Sequence, residues 1–343
     1  MRFAIFALLV GCVVDPLGKG EGDPDVPDVE ERNAESLTGS IEVGAELRTT
    51  ANLNLRSAPS KSSSVVAILP RGVIVKAVDA APNGVFYRVS YAGKSGWASG
   101  AYLERAVTKT VWRPTPGTSW QWQLREPIDT SFNVAMYDVD LFDTPESTIA
   151  ALHAKGSHVV CYFSAGSYEN WRADAASFPA AVLGKGLDGW PGERWLDVRA
   201  GSVRAIMKAR LDLAVKKSCD AVEPDNVDGY ANANGLGLTA ADQLAFNRFL
   251  AAEAHARALS IGLKNDLAQV SALVDDFDWA LNEQCFQYDE CATLTPFIAR
   301  KKAVFQVEYG ASPSSVCARS RALGFDTLIK KLELDAWQIS CRP

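Results

Sequence analysis

The sequence predicts an α/β protein, a parallel (β/α)8 barrel of the TIM type with a small all-β barrel in front of it. Three observations carry this reading. Over the C-terminal part, apolar strand-like runs alternate with helical patterns, eight strand–helix units in about 220 residues. Between Glu46 and Ala106 the pattern changes to short β segments separated by turn residues. No G-x-G-x-x-G supports a dinucleotide site on a doubly wound open sheet, the alternative arrangement.

The chain begins "MRFAIFALLVGC", with one basic residue, Arg2, and an apolar run from Phe3 to Val10 far too short to span a bilayer. Leu9-Val10-Gly11-Cys12 resembles the lipobox of bacterial lipoproteins. Residues 1–12 are therefore read as an export signal with Cys12 as lipid acceptor, and the protein as exported and tied to a bacterial cell envelope through that anchor alone. Residues 13–45 carry Pro, Gly and acids with almost nothing to bury, and read as a solvated tether.

At 343 residues with 48% apolar content, the chain can build one large core and one small one. Its net charge of −6 argues against a nucleic-acid partner. An acidic surface serves solubility or a cationic ligand. Nothing calls for a cofactor, and the protein is read as a monomer. Six cysteines follow Cys12. Cys285 and Cys291 flank a short loop, Cys317 can staple Cys341, and Cys161 and Cys219, in apolar strand-like surroundings, are read as free core thiols. With no C-x-x-C pair and only three His, no metal site is expected.

Residues 46–106 form the first folded segment. "LNLRSAPSKSSSVVAILPRGVIVKAV" reads as strand, Pro-Ser loop, strand, Arg-Gly turn, strand. "FYRVSYAGKSGWASGAYL" adds a hairpin through Ala92-Gly93-Lys94 and a closing strand at Trp97. The marks N-x-R-x-x-P (Asn54, Arg56, Pro59) and G-W-x-x-x-x-Y-L (Gly96, Trp97, Tyr102, Leu103) resemble the bacterial SH3-like domain. That resemblance implies a binder of cell-wall or matrix polymer; equally, Trp97 and Tyr102 serve as core of a spacer. Residues 107–118 are a linker.

Residues 119–343 make the larger domain. Strands are expected at Val134–Leu141, His158–Ser164, Trp195–Val198, Ala221–Asp225, Ser260–Asn265, Trp279–Glu283, Ala303–Tyr309 and Thr327–Lys330. In "TPESTIAALHAKG", Thr144 caps a helix, Pro145 opens it and Gly156 stops it. "SVRAIMKARLDLAVKKSC" and "TAADQLAFNRFLAAEAHARAL" repeat apolar residues at three- and four-residue spacing.

The acids crowd at the ends of these strands. "YDVDLFD" holds Asp138, Asp140 and Asp143, "SAGSYE" ends in Glu169, and "EPDNVD" holds Glu223, Asp225 and Asp228. "LKND", "LNEQC" and "VEYG" add Lys264 with Asp266, Glu283 and Glu308. In a barrel those ends share the face where active sites are built. Asp143 and Asp266 are expected as caps or ion-pair partners. Two acids across a cleft are what glycoside hydrolysis requires, and Trp120, Trp122, Tyr137, Tyr162, Tyr168, Trp171, Tyr230 and Tyr309 supply aromatic faces, each more often packing than a sugar platform.

In order along the chain, "WQWQL", "YDVDLFDT", "CYFSAGSYENWR", "GWPGERWLDVR", "VEPDNVDGY", "AEAHARALSIGLKND" and "LNEQC" resemble the endo-α-1,4-polygalactosaminidases, glycoside hydrolase family 114. The likeness runs from Trp120 to Tyr309. It implies a (β/α)8 barrel that cuts internal α-1,4 bonds of a galactosamine polysaccharide, with Asp225 and Glu283 as the catalytic pair. Asp225 is then nucleophile or base and Glu283 general acid, with the reverse assignment open. It further implies sugar-holding roles for Asp138, Tyr162, Glu169, Lys264 and Tyr309; Asp228 and Trp122 join them from their places in the same motifs. A carboxylate-lined cleft also suits a polymer that carries protonated amines. The rival readings are a metal-dependent hydrolase on the same barrel, with a carboxylate-only magnesium site, and a non-catalytic surface protein that binds polysaccharide.

Overall fold

The computed structural model describes residues 37–106 and 111–342, and the chain divides into two compact units, residues 1–108 and 109–343. The expected signal, Cys12 and most of the expected tether lie outside the described residues. Among the described residues no helix is long and apolar enough to cross a membrane.

The smaller unit is a seven-stranded antiparallel sheet. Its strands are β1 (Glu46–Thr49), β2 (Leu53–Arg56), β3 (Val65–Leu69), β4 (Ile74–Ala77), β5 (Phe86–Tyr91), β6 (Lys94–Ser99) and β7 (Leu103–Arg105), in the order β3-β2-β6-β5-β4-β1-β7. The β5–β6 hairpin closes at the Tyr91–Lys94 pair. Its two loop residues, Ala92 and Gly93, both have positive φ, 46° and 77°, the twist a two-residue hairpin needs. Leu47, Leu53, Leu55, Leu69, Val75 and Val89 fill the core. Arg56 is buried, and its Nη1 donates to the Ser63 carbonyl at 3.0 Å, which ties down the loop after β2. Trp97 and Tyr102 are half-buried, and Tyr102 packs on the core.

The larger unit is built on a curled nine-stranded sheet. Eight strands run parallel: β8 (Trp120–Trp122), β9 (Met136–Asp140), β10 (His158–Ser164), β14 (Ala221–Asp225), β15 (Ser260–Lys264), β16 (Trp279–Glu283), β17 (Val304–Tyr309) and β18 (Asp326–Lys330). A short β19 (Ile339–Ser340) pairs antiparallel with β18. Between β10 and β14 the chain leaves this sheet to form a separate antiparallel one from β11 (Ser167–Glu169), β12 (Leu183–Leu187) and β13 (Trp190–Leu196). Helix α1 (Glu146–Ala154) links β9 to β10, α2 (Gly201–Lys216) leads from β13 into β14, and α3 (Ala240–Ala256), α4 (Val270–Leu273), α5 (Thr295–Ala299) and α6 (Pro313–Leu323) lie in the connections from β14 to β18.

Side chains alternate across a strand, and here the alternation sorts two cores. Tyr137, Val139, Val159, Cys161, Val222, Ile261 and Leu263 pack with the helices. Met136, Val160, Ala221, Trp279, Leu281, Phe305, Val307 and Leu328 pack together inside the curl. The same parity puts Asp138, Tyr162, Glu223, Asp225, Lys264, Glu283 and Tyr309 on the inner face, toward the strands' C-terminal ends. Trp279 is fully buried on β16. A Cβ on its neighbour Gly262 would lie 2.3 Å from the indole, so glycine there makes the room the ring occupies.

Four expectations are corrected. Trp195–Val198 is not a strand of the parallel sheet: its apolar residues belong to β13 and the turn after it, because periodicity cannot say which sheet a strand joins. The parallel strand the sequence reading missed is β8, which carries Trp120 and Trp122. Cys161 and Cys219 are not free; they form a disulfide, alongside Cys285–Cys291 and Cys317–Cys341. At α1, Pro145 rather than Thr144 takes the cap position, and no side chain caps the helix. By contrast, Thr239 caps α3 in a reciprocal box with Asp242.

Candidate active site

Four successive strands end the same way. The residue after β14 is Asn226 (φ 60°), after β15 Asn265 (49°), after β16 Gln284 (62°) and after β17 Gly310 (65°). Each left-handed residue turns the chain sharply away and leaves the last strand residue, Asp225, Lys264, Glu283 or Tyr309, pointing inward at the mouth. Gly166, after β10, belongs to the same mouth: a Cβ on it would lie 1.7 Å from the Asn226 carbonyl oxygen.

The mouth is a cleft of about 960 Å³. Lys264 is its hub, 2% exposed. Its Nζ lies 2.7 Å from Glu223 Oε1, 3.2 Å from Asp225 Oδ1 and 3.5 Å from Glu283 Oε2. The Trp122 and Tyr162 rings lie 4.8 and 5.7 Å from it. Burial works against its charge, but Asp225, Glu223 and Glu283 outweigh that and hold its pKa well above the usual lysine value. Since one ammonium touches both, the Asp225 and Glu283 oxygens are no farther apart than the sum of 3.2 and 3.5 Å.

Each of the two carboxylates has its own donors. Asp225 accepts from the Tyr162 hydroxyl at 3.0 Å and from the Asn226 backbone N–H at 2.7 Å. Glu283 accepts a short hydrogen bond from the Tyr309 hydroxyl and one from Asn265 Nδ2 at 3.3 Å. Burial first, and then the facing carboxylate, pushes both phenols up, so both stay protonated donors. Asn265 Oδ1 in turn accepts from the Glu283 backbone N–H at 3.0 Å and from Asn282 Nδ2 at 3.2 Å.

Beneath this pair lie Asp138 and Glu223, both fully buried. Burial, then the Glu223 charge, drives the Asp138 pKa well above the carboxylate range. Burial also raises Glu223, against the pull of Lys264. Like charges this close cannot both ionise; Asp138 keeps its proton and Glu223 pairs with the ammonium. Asp228 is pushed up to about 6 by burial and then by Asp225.

Of the residues singled out from sequence, Asp225, Glu283, Tyr162, Lys264, Tyr309, Asp228 and Trp122 all line the cleft. Trp122 is 1% exposed and lies beside the lysine, with little face left for a sugar. Asp138 and Glu169 do not line it. Asp138 is sealed behind Glu223. Glu169 is buried in an ion network with Arg172 at 2.9 Å and Arg210 at 3.8 Å, alongside Asp140 at 2.7 Å from Arg172. Sequence reasoning missed Asn226 and Asn265, and also Trp190, Glu193 and Trp195 on β13, which form part of a cleft wall. The last three sit in "GWPGERWLDVR", a motif recognised as such, of which only Trp195–Val198 was read as a strand, and that in the wrong sheet.

His153, His158 and His255 sit away from this end. His153 Nε2 and His255 Nε2 each lie 2.8 Å from an aspartate, Asp220 and Asp278. Among the described residues no group of three or more His, Cys, Asp or Glu is placed to hold a metal ion.

Comparison with known proteins identifies the family of each unit. The model of Glycoside-hydrolase family GH114 matches residues 102–343, and that of the bacterial SH3 domain matches residues 51–104. The crystal structure of Aspergillus fumigatus Ega3 in complex with galactosamine is 46% identical with a TM-score of 0.65, over 67% of this chain and 97% of that one. The glycoside hydrolase domain of PelA from Pseudomonas aeruginosa shares the fold at 16% identity and a TM-score of 0.52, over 65% of this chain and 97% of that one. No curated protein matches. The class is thus a glycoside hydrolase. The chain belongs to glycoside-hydrolase family GH114, with a bacterial SH3 domain ahead of the hydrolase.

Proposed function

We propose that the protein cleaves internal α-1,4-galactosaminidic bonds of a cationic, partly deacetylated galactosamine polysaccharide, with Asp225 and Glu283 as the catalytic pair. The observation that carries this is the single Lys264 ammonium in reach of both carboxylates at the floor of one open cleft. The substrate class is supported by the galactosamine bound to Ega3, 46% identical.

The upper bound set through Lys264 admits the retaining spacing, and retention is the proposed outcome. Retaining enzymes hold the two groups roughly 5–5.5 Å apart and inverting enzymes roughly 6.5–9.5 Å. Asp225, with Lys264 closer to it and a backbone donor, serves as nucleophile: an oxygen attacks the anomeric carbon as Glu283 gives its proton to the departing glycosidic oxygen. The carboxyl of Glu283, now ionised, then takes a proton from water, which displaces Asp225 and restores both groups.

The fold reading extends to a complete (β/α)8 barrel over residues 119–343. The first and last parallel strands, β8 and β18, approach: Trp120 Nε1 donates to the Asp326 carbonyl at 2.9 Å, and Lys330 Nζ to Gln121 Oε1 at 3.0 Å. Residues 46–106 act as a cell-wall or matrix polymer module, and the protein is exported as a monomer anchored through Cys12. The test is reducing-end release from partly deacetylated poly-galactosamine. The parent protein releases ends in the presence of EDTA, and Asp225→Asn and Glu283→Gln release fewer by at least about a thousandfold. Binding without cleavage by the parent, or full activity in both variants, defeats the proposal.

A further inference from the structure

We propose that Glu193, on the β12–β13 hairpin, is the carboxylate that reads the free 2-amino group of a sugar unit bound next to the scissile bond. This rests on the reading of the cleft as a galactosaminidase site, and adds to it the residue that distinguishes an amine from an acetamide.

Among the described residues, Glu193 differs from three other carboxylates near the site in having no cationic side chain to pair with. Its cross-strand partner on β11 is Glu169, which is paired with Arg172 and Arg210. Asp225 and Glu283 share Lys264. Glu193 lines the cleft, yet among the described residues no Lys or Arg lies within ion-pair distance of it. Its side chain is nevertheless fixed. Glu193 Oε2 accepts from the Ser167 hydroxyl at 2.7 Å, and Ser167 Oγ lies 2.6 Å from Ser164 Oγ. Asn226 Nδ2 donates to Ser164 Oγ at 2.9 Å and Ser167 Oγ at 3.2 Å. The chain of contacts ends beside Asp225, so the carboxylate is held in register with the catalytic residue. Its other oxygen has no protein donor among the described residues.

A half-buried carboxylate held rigidly without a counter-ion is costly in the empty cleft. Burial, only partly offset by the Ser167 hydroxyl, pushes its pKa to about 7. A cation arriving from the cleft removes that cost. Trp190 comes from the same strand, lines the same cleft and is exposed; its flat apolar face suits the ring that carries the amine. An N-acetylated unit offers no charge there and places an acetyl group against the carboxylate.

The test is calorimetric binding of galactosamine tetramer and N-acetylgalactosamine tetramer, with reducing-end release measured in parallel. Glu193→Gln weakens binding of the amine tetramer about tenfold relative to the acetylated one. Glu193→Asp recovers part of the preference, and Ser167→Ala loses part of it. An equal loss on both ligands, or none, overturns the assignment, and unchanged melting temperatures exclude misfolding as the cause. A parent protein that prefers the amine through Glu193 but never cleaves defeats the hydrolase reading and leaves this one standing. A parent with no preference for the amine defeats this inference whatever it cleaves.

Discussion

Lys264 and Glu223 meet at 2.7 Å with both side chains closed off from solvent, directly under the residues proposed for catalysis. An ion pair in that position is poor as a source of stability, because the desolvation of two charges cancels most of their attraction. Its value is positional: it sets an ammonium where it also touches Asp225 and Glu283.

Removing one member alone is therefore severe. Lys264→Met strands Glu223 without a counter-charge and destabilises the fold by about 3–5 kcal/mol, with loss of most activity. Adding Glu223→Gln to it restores much of the stability and none of the activity. Denaturant unfolding of the two single variants and the double variant measures this; equal stability of Lys264→Met and parent would contradict it.

The Tyr309 hydroxyl fixes the Glu283 carboxylate. Tyr309→Phe keeps the ring and removes the donor, so kcat falls about 10–100-fold while KM moves less. Steady-state kinetics on a defined galactosamine oligomer decides; a change in KM alone would make Tyr309 a binding residue only.

Much of this site was legible in the sequence, for a definite reason. Parity along a strand and the rule that barrel chemistry gathers at strand C-termini fix where Asp225, Lys264, Glu283 and Tyr309 must point. What was not legible depends on partners far apart in the chain. Asp138 looks like any acid at a strand end, and only its burial behind Glu223 shows that it holds a proton rather than a sugar. Cys161 reads as a core thiol until α2 delivers Cys219 beside it. The run around Trp195 reads as a strand, which it is, but pairing, not pattern, takes it out of the parallel sheet and makes it a cleft wall.

Asp266 gives the protein a pH signature. Burial, then Asp228, raises its folded-state pKa to about 8, with hydrogen bonds from Tyr230 and Asn247 opposing. The folded state thus binds more protons than the unfolded state between its unfolded value, near 4, and about 8. Stability from this group is complete below that window and declines as pH rises through it. Asp266→Asn keeps an acceptor for Asn247 and lacks the decline. Between pH 5 and 7 its stability should gain on the parent by about 1.4 kcal/mol per pH unit at most. Parallel curves across that range would contradict the raised value.

The Cys161–Cys219 bond closes a span of 58 residues around the β10–β14 excursion. On the chain-entropy account its removal costs about 4 kcal/mol. Cys161→Ala combined with Cys219→Ala should lower the melting temperature and the denaturant midpoint. A neutral double variant would show that the unfolded chain is already constrained there.

The central claim is that Asp225 attacks the sugar and Glu283 protonates the leaving group across one linkage. Proton NMR of the first-formed reducing ends, read before mutarotation, tests it most directly. The account predicts the α anomer first, because two displacements return the original configuration. The β anomer first would mean that water, not Asp225, attacks the sugar.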